Sequence, residues 1–329
     1  MATTNYTVSQ ITNAFAGSTL PTAVRTALIT MLTSDASNGK DKVNDITATP
    51  HTLVRADITG NNLVINHSGG VQSLNTLVAS DVTKLDGLIF STNDAVNLTM
   101  NSGAGANAFH GWVVTNAGND IINLSGAGVK VSTGDGNDSI TSGSGNDSIL
   151  SGTGNDTINA GNGNNTIDSG DGNDSITVGS GNDSINTGLG NDTVTTGNGN
   201  DSINTGTGND SITTGSGKDS ITVGAGNDTV HTGAGTDKVI LATGYTGNSI
   251  LDGGTNPTGN VTTNGDTLDL RNVNIQHVAQ SGSTLTITLT DASVLTVTNF
   301  ENFIYDSNGT VAGGIITTVG VTPFVTHFP

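Results

Sequence analysis

From Ser132 to Ile240 one nine-residue phrase repeats in register, opening TGDGNDSIT, SGSGNDSIL, SGTGNDTIN and closing TGAGTDKVI. Its apolar residue returns without a slip at Ile140, Ile149, Ile158, Ile167, Ile176, Ile185, Val194, Ile203, Ile212, Ile221, Val230 and Val239. Ile122 and Val131 hold the same register upstream. So short and strict a period describes a solenoid, in which each rung buries a small stripe against its neighbours. Aligned as x-G-x-G-N-D-x-U-x, with U apolar, the phrase reads as a Gly-rich turn and a short strand x-U-x with one inward side chain.

Two phrases make one 18-residue turn of a flattened roll. Ile140, Ile158, Ile176, Val194, Ile212 and Val230 then stack on one sheet, and Ile149, Ile167, Ile185, Ile203, Ile221 and Val239 on the other. Each edge carries a column of acids. One holds Asp120, Asp138, Asp156, Asp174, Asp192, Asp210 and Asp228; the other holds Asp147, Asp183, Asp201, Asp219 and Asp237. Carboxylates about 4.8 Å apart on successive rungs require a cation between them. Calcium takes hard oxygens from carboxylates and backbone carbonyls in a flexible cage. A glycine-rich turn with one Asp offers that set, because glycine lets carbonyls crowd a ligand.

Composition agrees. Gly is 47 of 329 residues and aromatics are 3%, too few large side chains for a conventional core. The net charge of −19 argues for cations as partners and against nucleic acid or an anionic membrane surface. The absence of Cys removes disulfides and thiolate metal sites. No stretch approaches the ~20 apolar residues of a membrane span. The opening MATTNYTVSQITNAF has neither the basic start nor the apolar run of a cleaved secretory signal.

The flanks divide the chain further. Residues 1–40 read as a helical segment, with Val8, Ile11 and Phe15 at helical spacing and Pro21 opening a second helix, serving as a cap or as a surface anchor. Residues 41–115 alternate in short β-prone runs at irregular spacing, an imperfect solenoid or a small sandwich, with Trp112 packing at the junction with the repeats. The array itself occupies residues 116–245. Residues 246–329 return to strands at 265–273, 285–291 and 294–300, followed by an apolar, β-prone tail that serves as secretion signal, cap or subunit contact.

The repeats resemble the RTX proteins, whose glycine-rich nonapeptides fold into a calcium-bound, right-handed parallel β-roll. The resemblance implies several Ca2+ ions lying between turns of one edge. Each would be held by the Asp residues above and by carbonyls of Gly134, Gly136, Gly143, Gly145, Gly152, Gly154, Gly170, Gly172, Gly179, Gly181, Gly188, Gly190, Gly197, Gly199, Gly206, Gly208, Gly215 and Gly217. It also implies unfolding without calcium and export through an uncleaved C-terminal signal. The chain departs from the family pattern at several places. The family's first Gly is Thr133, Ser142, Ser151 and so on. Asn165 and Val129 replace Asp on one edge, so the sites there near Asp147 and Asp183 are expected to be weaker or absent, and that edge to start one rung late. Lys218 and Thr236 replace the Asn before Asp219 and Asp237. Glu301 and Asp306 are candidate further ligands.

No catalytic constellation accompanies the repeats. The six His form no H-E-x-x-H, and no G-x-S-x-G occurs. The G-x-G strings recur with no following helix, so they are turns rather than nucleotide loops. The chain as a whole resembles calcium-dependent bacterial surface-layer proteins: acidic, rich in Thr, Asn, Gly and Ala, without Cys. That resemblance implies a non-enzymatic, secreted, self-assembling subunit with a cell-surface polysaccharide anchor. The alternatives are an adhesin or ice-binding module, using the outward Ser/Thr that precede each apolar residue, or the non-catalytic RTX part of a secreted hydrolase.

Overall fold

The computed structural model describes residues 43–46, 62–65, 72–74, 87–90, 95–100, 109–255 and 265–305. The expected helices of residues 1–40, Asp306 and the apolar tail lie outside the described residues. Among the described residues every regular element is a strand, and no helix is long and apolar enough to cross a membrane. The chain divides into two compact units, Met1–Gly170 and Asp171–Pro329.

In the first unit one sheet stacks Val43–Ile46, Asn62–Ile65, Gly87–Phe90, Trp112–Val114, Lys130–Asp135 and Ser148–Thr153, each parallel to the next. The other stacks Gln72–Leu74, Val96–Met100, Ile121–Ala127, Ser139–Ser144 and Thr157–Gly161, also parallel. From Asn62–Ile65 onward the chain alternates between the sheets, so each strand's crossover to its parallel partner is a strand of the other sheet. The solenoid therefore begins well upstream of the repeats, and the sandwich alternative for residues 41–115 falls away. The irregular spacing there lies in the connections between strands, not in their pairing. Trp112 does abut the repeats, pairing with Lys130 on one side and Gly87 on the other. A β-carbon on Gly87 would fall inside the indole ring, so glycine makes room for the only Trp of the chain.

In the second unit Ser184–Asn186, Ser202–Asn204, Ser220–Val223, Lys238–Leu241, Thr267–Asp269 and Asn302–Ile304 form one parallel sheet. Ser175–Val178, Thr193–Thr195, Ser211–Thr213, Thr229–His231, Ser249–Asp252 and Val294–Thr298 form the other. That second sheet then changes sense: Val294–Thr298 pairs antiparallel with Thr284–Leu289, which pairs antiparallel with Ile275–Ser281. The last strand is largely exposed and closes the sheet.

Register puts like on like. Ile122, Ile140 and Ile158 align in the first unit, and Ile185, Ile203, Ile221, Val239 and Leu268 in the second; all are buried. Each x-U-x strand turns one side chain inward, and the phrase as a whole buries two more. Beside Ile149, Asp147 and Ser151 also point inward, since the two-residue alternation of the strand continues on both sides of x-U-x. The interior is thus apolar down its middle and polar toward both edges.

The third inward residue explains the departure from Gly at the first position. Where Ser or Thr stands there, its hydroxyl can donate to the carbonyl of the equivalent residue 18 positions on, as Thr133 does to Ser151 at 3.1 Å, Thr187 to Thr205 at 2.7 Å and Thr214 to Thr232 at 2.6 Å; Ala160, Val178 and Val223 interrupt the series. A buried hydroxyl column satisfies carbonyls that would otherwise lose their water.

Candidate metal centre

Every Asp of the two edge columns is buried on the inner side of a turn, and within each unit the columns stack at 18-residue steps. One carboxylate oxygen has a structural task. Oδ1 of Asp138 accepts the backbone N–H of Asp120, and Oδ1 of Asp156 that of Asp138, both at 2.8 Å. In the second unit Asp192, Asp210 and Asp228 accept from Asp174, Asp192 and Asp210 at 2.8, 2.9 and 3.0 Å. On the other edge Asp201, Asp219 and Asp237 accept from Asp183, Asp201 and Asp219 at 2.9, 2.9 and 2.8 Å. Each Asp therefore reaches back one rung.

The Asn before each Asp reaches forward. Oδ1 of Asn137 accepts the N–H of Asn155, and Oδ1 of Asn191 that of Asn209, both at 2.7 Å. Two opposed side-chain ladders thus occupy the turn donors that strand pairing leaves over. The exposed Asn ladder breaks where the sequence departs from it. Lys218 still donates its N–H to Asn200 at 2.8 Å but brings no acceptor of its own. The N–H of Thr236 turns to the carbonyl of Gly217 at 3.3 Å, and Ser216–Gly217 pairs with Ala234–Gly235 as a small separate sheet.

The second carboxylate oxygen is different. Oδ2 of Asp120, Asp138, Asp192, Asp201, Asp210, Asp219 and Asp237 is buried and meets no hydrogen-bond donor. Burial pushes the carboxyls of Asp120 and Asp210 up to about 7, and those of Asp228 and Asp237 up to about 6, although backbone N–H bonds pull the other way. Asp269 supplies the contrast. It is as buried, but Arg271 at 2.6 Å and Lys238 at 3.1 Å hold its carboxyl well below the usual range. Among the described residues no ion pair involves Asp120, Asp138, Asp192, Asp201, Asp210, Asp219, Asp228 or Asp237.

The glycines bring backbone carbonyls close to the same turns. A β-carbon on Gly154, at φ 129°, would strike the carbonyl of Gly136 one rung back, and one on Gly152 would strike that of Gly134. Glycine carbonyls therefore line the stack at each edge. Asn165 shows where the outer atom of the inward turn residue lies. Its Oδ1 accepts the N–H of Asp147 at 3.0 Å, as an Asp would, while its Nδ2 donates to the carbonyls of Gly163 at 3.1 Å and Gly161 at 3.4 Å. With Asp in that place the outer atom is an oxygen, so a carboxylate oxygen and two carbonyls would face one another with no donor among them. Such a set fits a hard dication such as calcium. Among the described residues no three His, Cys, Asp or Glu side chains converge, so a cation bound at these turns would need backbone carbonyls to complete its shell.

Both columns end in residues outside the phrase. Asp237 donates its N–H to Oδ1 of Asp266 at 2.7 Å, and Asp266 donates its own to Oε2 of Glu301 at 2.8 Å. Asp266 escaped the sequence reading, although Asp266-Thr267-Leu268 repeats the Asp-x-U fragment after an insertion, with Gly265 at the Asn position. The other column ends at Asp228, whose N–H donates to Ser249 Oγ at 2.8 Å, with the Tyr245 hydroxyl donating to the same oxygen at 2.6 Å.

Residues 132–167, 168–203 and 204–239 each match the RTX calcium-binding nonapeptide repeat family, a unit of 4 copies. Comparison with curated proteins returned no match. Strict register, buried carboxylates without donors and rows of glycine carbonyls converge with that match: residues 132–239 are RTX calcium-binding repeats on a parallel β-solenoid, and they bind multiple Ca2+ ions.

Proposed function

We propose that this chain is a secreted structural protein that folds on extracellular calcium and assembles with copies of itself into a surface layer or similar array. The observation that carries the reading is the column of buried, donorless carboxylate oxygens at each edge. Such a column opposes folding where calcium is scarce and supports it where calcium is plentiful, which suits a protein exported unfolded. In this reading each ion is held by the outer oxygens of the edge Asp residues and by the glycine carbonyls of their turns. Assembly draws support from Ile275–Ser281, an exposed strand at the end of its sheet that can pair with another chain, and from the exposed side chains of Leu189 and Ile250.

Size-exclusion chromatography, circular dichroism and electron microscopy across a calcium series test both halves. The expected result is conversion of an expanded monomer to β-sheet, followed by ordered sheets or filaments. A chain that gains β-sheet as calcium rises but stays monomeric throughout would refute assembly and leave calcium folding intact. A second reading, an adhesive or ice-binding face, is favoured by the outward hydroxyls of Ser175, Thr193 and Ser211, which align in register. Thermal hysteresis by the calcium-loaded protein would support it.

A further inference from the structure

We propose that in the first unit the edge formed by Val129, Asp147 and Asn165 is closed by hydrogen bonds in place of calcium, and that this edge holds the part of the roll that stays folded when calcium is withdrawn. The inference rests on the calcium-binding array and not on assembly. Three observations carry it, one per rung.

At Asn165, which is 1% exposed, the side chain performs both tasks of the site. Its Oδ1 takes the Asp147 N–H, and its amide nitrogen takes the carbonyls of Gly161 and Gly163. The NH2 group thus lies among the oxygens that face a cation in an Asp-bearing turn. At Asp147 the outer oxygen is already answered, because Ser142 Oγ donates to Oδ2 at 2.6 Å. At Val129 there is no carboxylate. The buried isopropyl group fills the place, and its N–H donates to Oδ1 of Asp147 at 2.8 Å. On the facing edge of the same unit Asp120 and Asp138 keep Oδ2 buried without a donor.

Charge and packing agree. The Val129 edge carries one acid over these rungs where the facing edge carries Asp120, Asp138 and Asp156. The same unit also buries the large side chains that the repeats lack, including Leu88, Phe90, Leu98, Met100, Phe109 and Trp112. An apolar block beside an edge whose single acid is hydrogen-bonded through both oxygens has little electrostatic reason to open when calcium is removed. It is then positioned to template the rungs that follow as calcium returns, since each new rung pairs with a finished one.

The test uses the full chain, with amide hydrogen exchange in chelator and calcium stoichiometry by equilibrium dialysis. In chelator the amides of Val129 and Asp147 are expected to exchange slowly, and those of Asp192, Asp201 and Asp210 at rates near random coil. Asn165→Asp should raise the bound calcium by about one ion per chain and abolish the slow exchange in chelator. Asn165→Ala should abolish it without gaining calcium. Both variants should still fold when calcium is saturating. Uniformly fast or uniformly slow exchange of the wild type in chelator, unchanged stoichiometry in Asn165→Asp, or retained protection in Asn165→Ala would each overturn the proposal. A normal calcium-induced fold alongside any of these results would leave the calcium-binding array itself intact.

Discussion

Replacing Asp210 by Asn should push stability in opposite directions with and without calcium. Oδ1 of Asp210 accepts the Asp192 N–H at 2.9 Å, a task an amide oxygen performs equally well. Oδ2 is buried without a donor, and burial lifts the carboxyl from 3.8 to about 7. Ionising it in the calcium-free fold at pH 7.5 therefore costs up to about 4 kcal/mol, at 1.36 kcal/mol for each pKa unit. The turn lies one residue from bulk water, which screens the charge, so about 2 kcal/mol is the working figure. Asp210→Asn removes that cost, and its amide can reach the carbonyls of its own turn as Asn165 does. In chelator, trimethylamine N-oxide titration followed by circular dichroism should show folding at lower osmolyte than in the wild type. In saturating calcium the same variant should melt at lower temperature and bind fewer ions. Destabilisation in both conditions would refute the reasoning, because Asp210 would then stabilise the turn without any cation.

Acid should partly replace calcium. The carboxyls of Asp120, Asp210, Asp228 and Asp237 are raised in the folded state to about 7, 7, 6 and 6. The calcium-free fold thus binds more protons than the unfolded chain. Their contribution is full below about 4, the unfolded value, and is lost as pH rises through 6 to 7. Circular dichroism in chelator should show more β-sheet at pH 5 than at pH 7.5; a flat profile would contradict the burial of these acids. Gly154→Ala must place a methyl against the Gly136 carbonyl at φ 129°, and should lower stability in calcium by about 3 kcal/mol or prevent folding, read from thermal melts. Thr214→Val keeps the shape but removes the 2.6 Å donor to the Thr232 carbonyl, and should cost about 1–2 kcal/mol in the same assay.

Much of the array was legible in residues. The apolar stripe appears where the period puts it because an inward position repeats whenever the rung repeats. The two acid edges, and their interruption at Val129 and Asn165, follow from the same counting. Less was legible where the period fails. Residues 41–115 keep parallel pairing through connections of uneven length, so no fixed spacing betrays them. Asp266 joins an edge column 29 positions after Asp237, beyond the 18-residue step that made the other acids visible.

By itself the sequence determined the rung: nine residues, a glycine turn, one apolar anchor, one acid, and hence a calcium-binding stack. Only the tertiary structure decided what each polar residue does inside it. The inward Ser and Thr form a hydroxyl column, the Asn reaches forward and the Asp back, and each Asp keeps one oxygen for the backbone. Asn165 alone shows what the other oxygen faces. These are relations between equivalent atoms of successive rungs, and they exist only once the chain has turned back on itself. A single phrase contains the donors and acceptors, but stacking sets which of them meet and which is left for the ion.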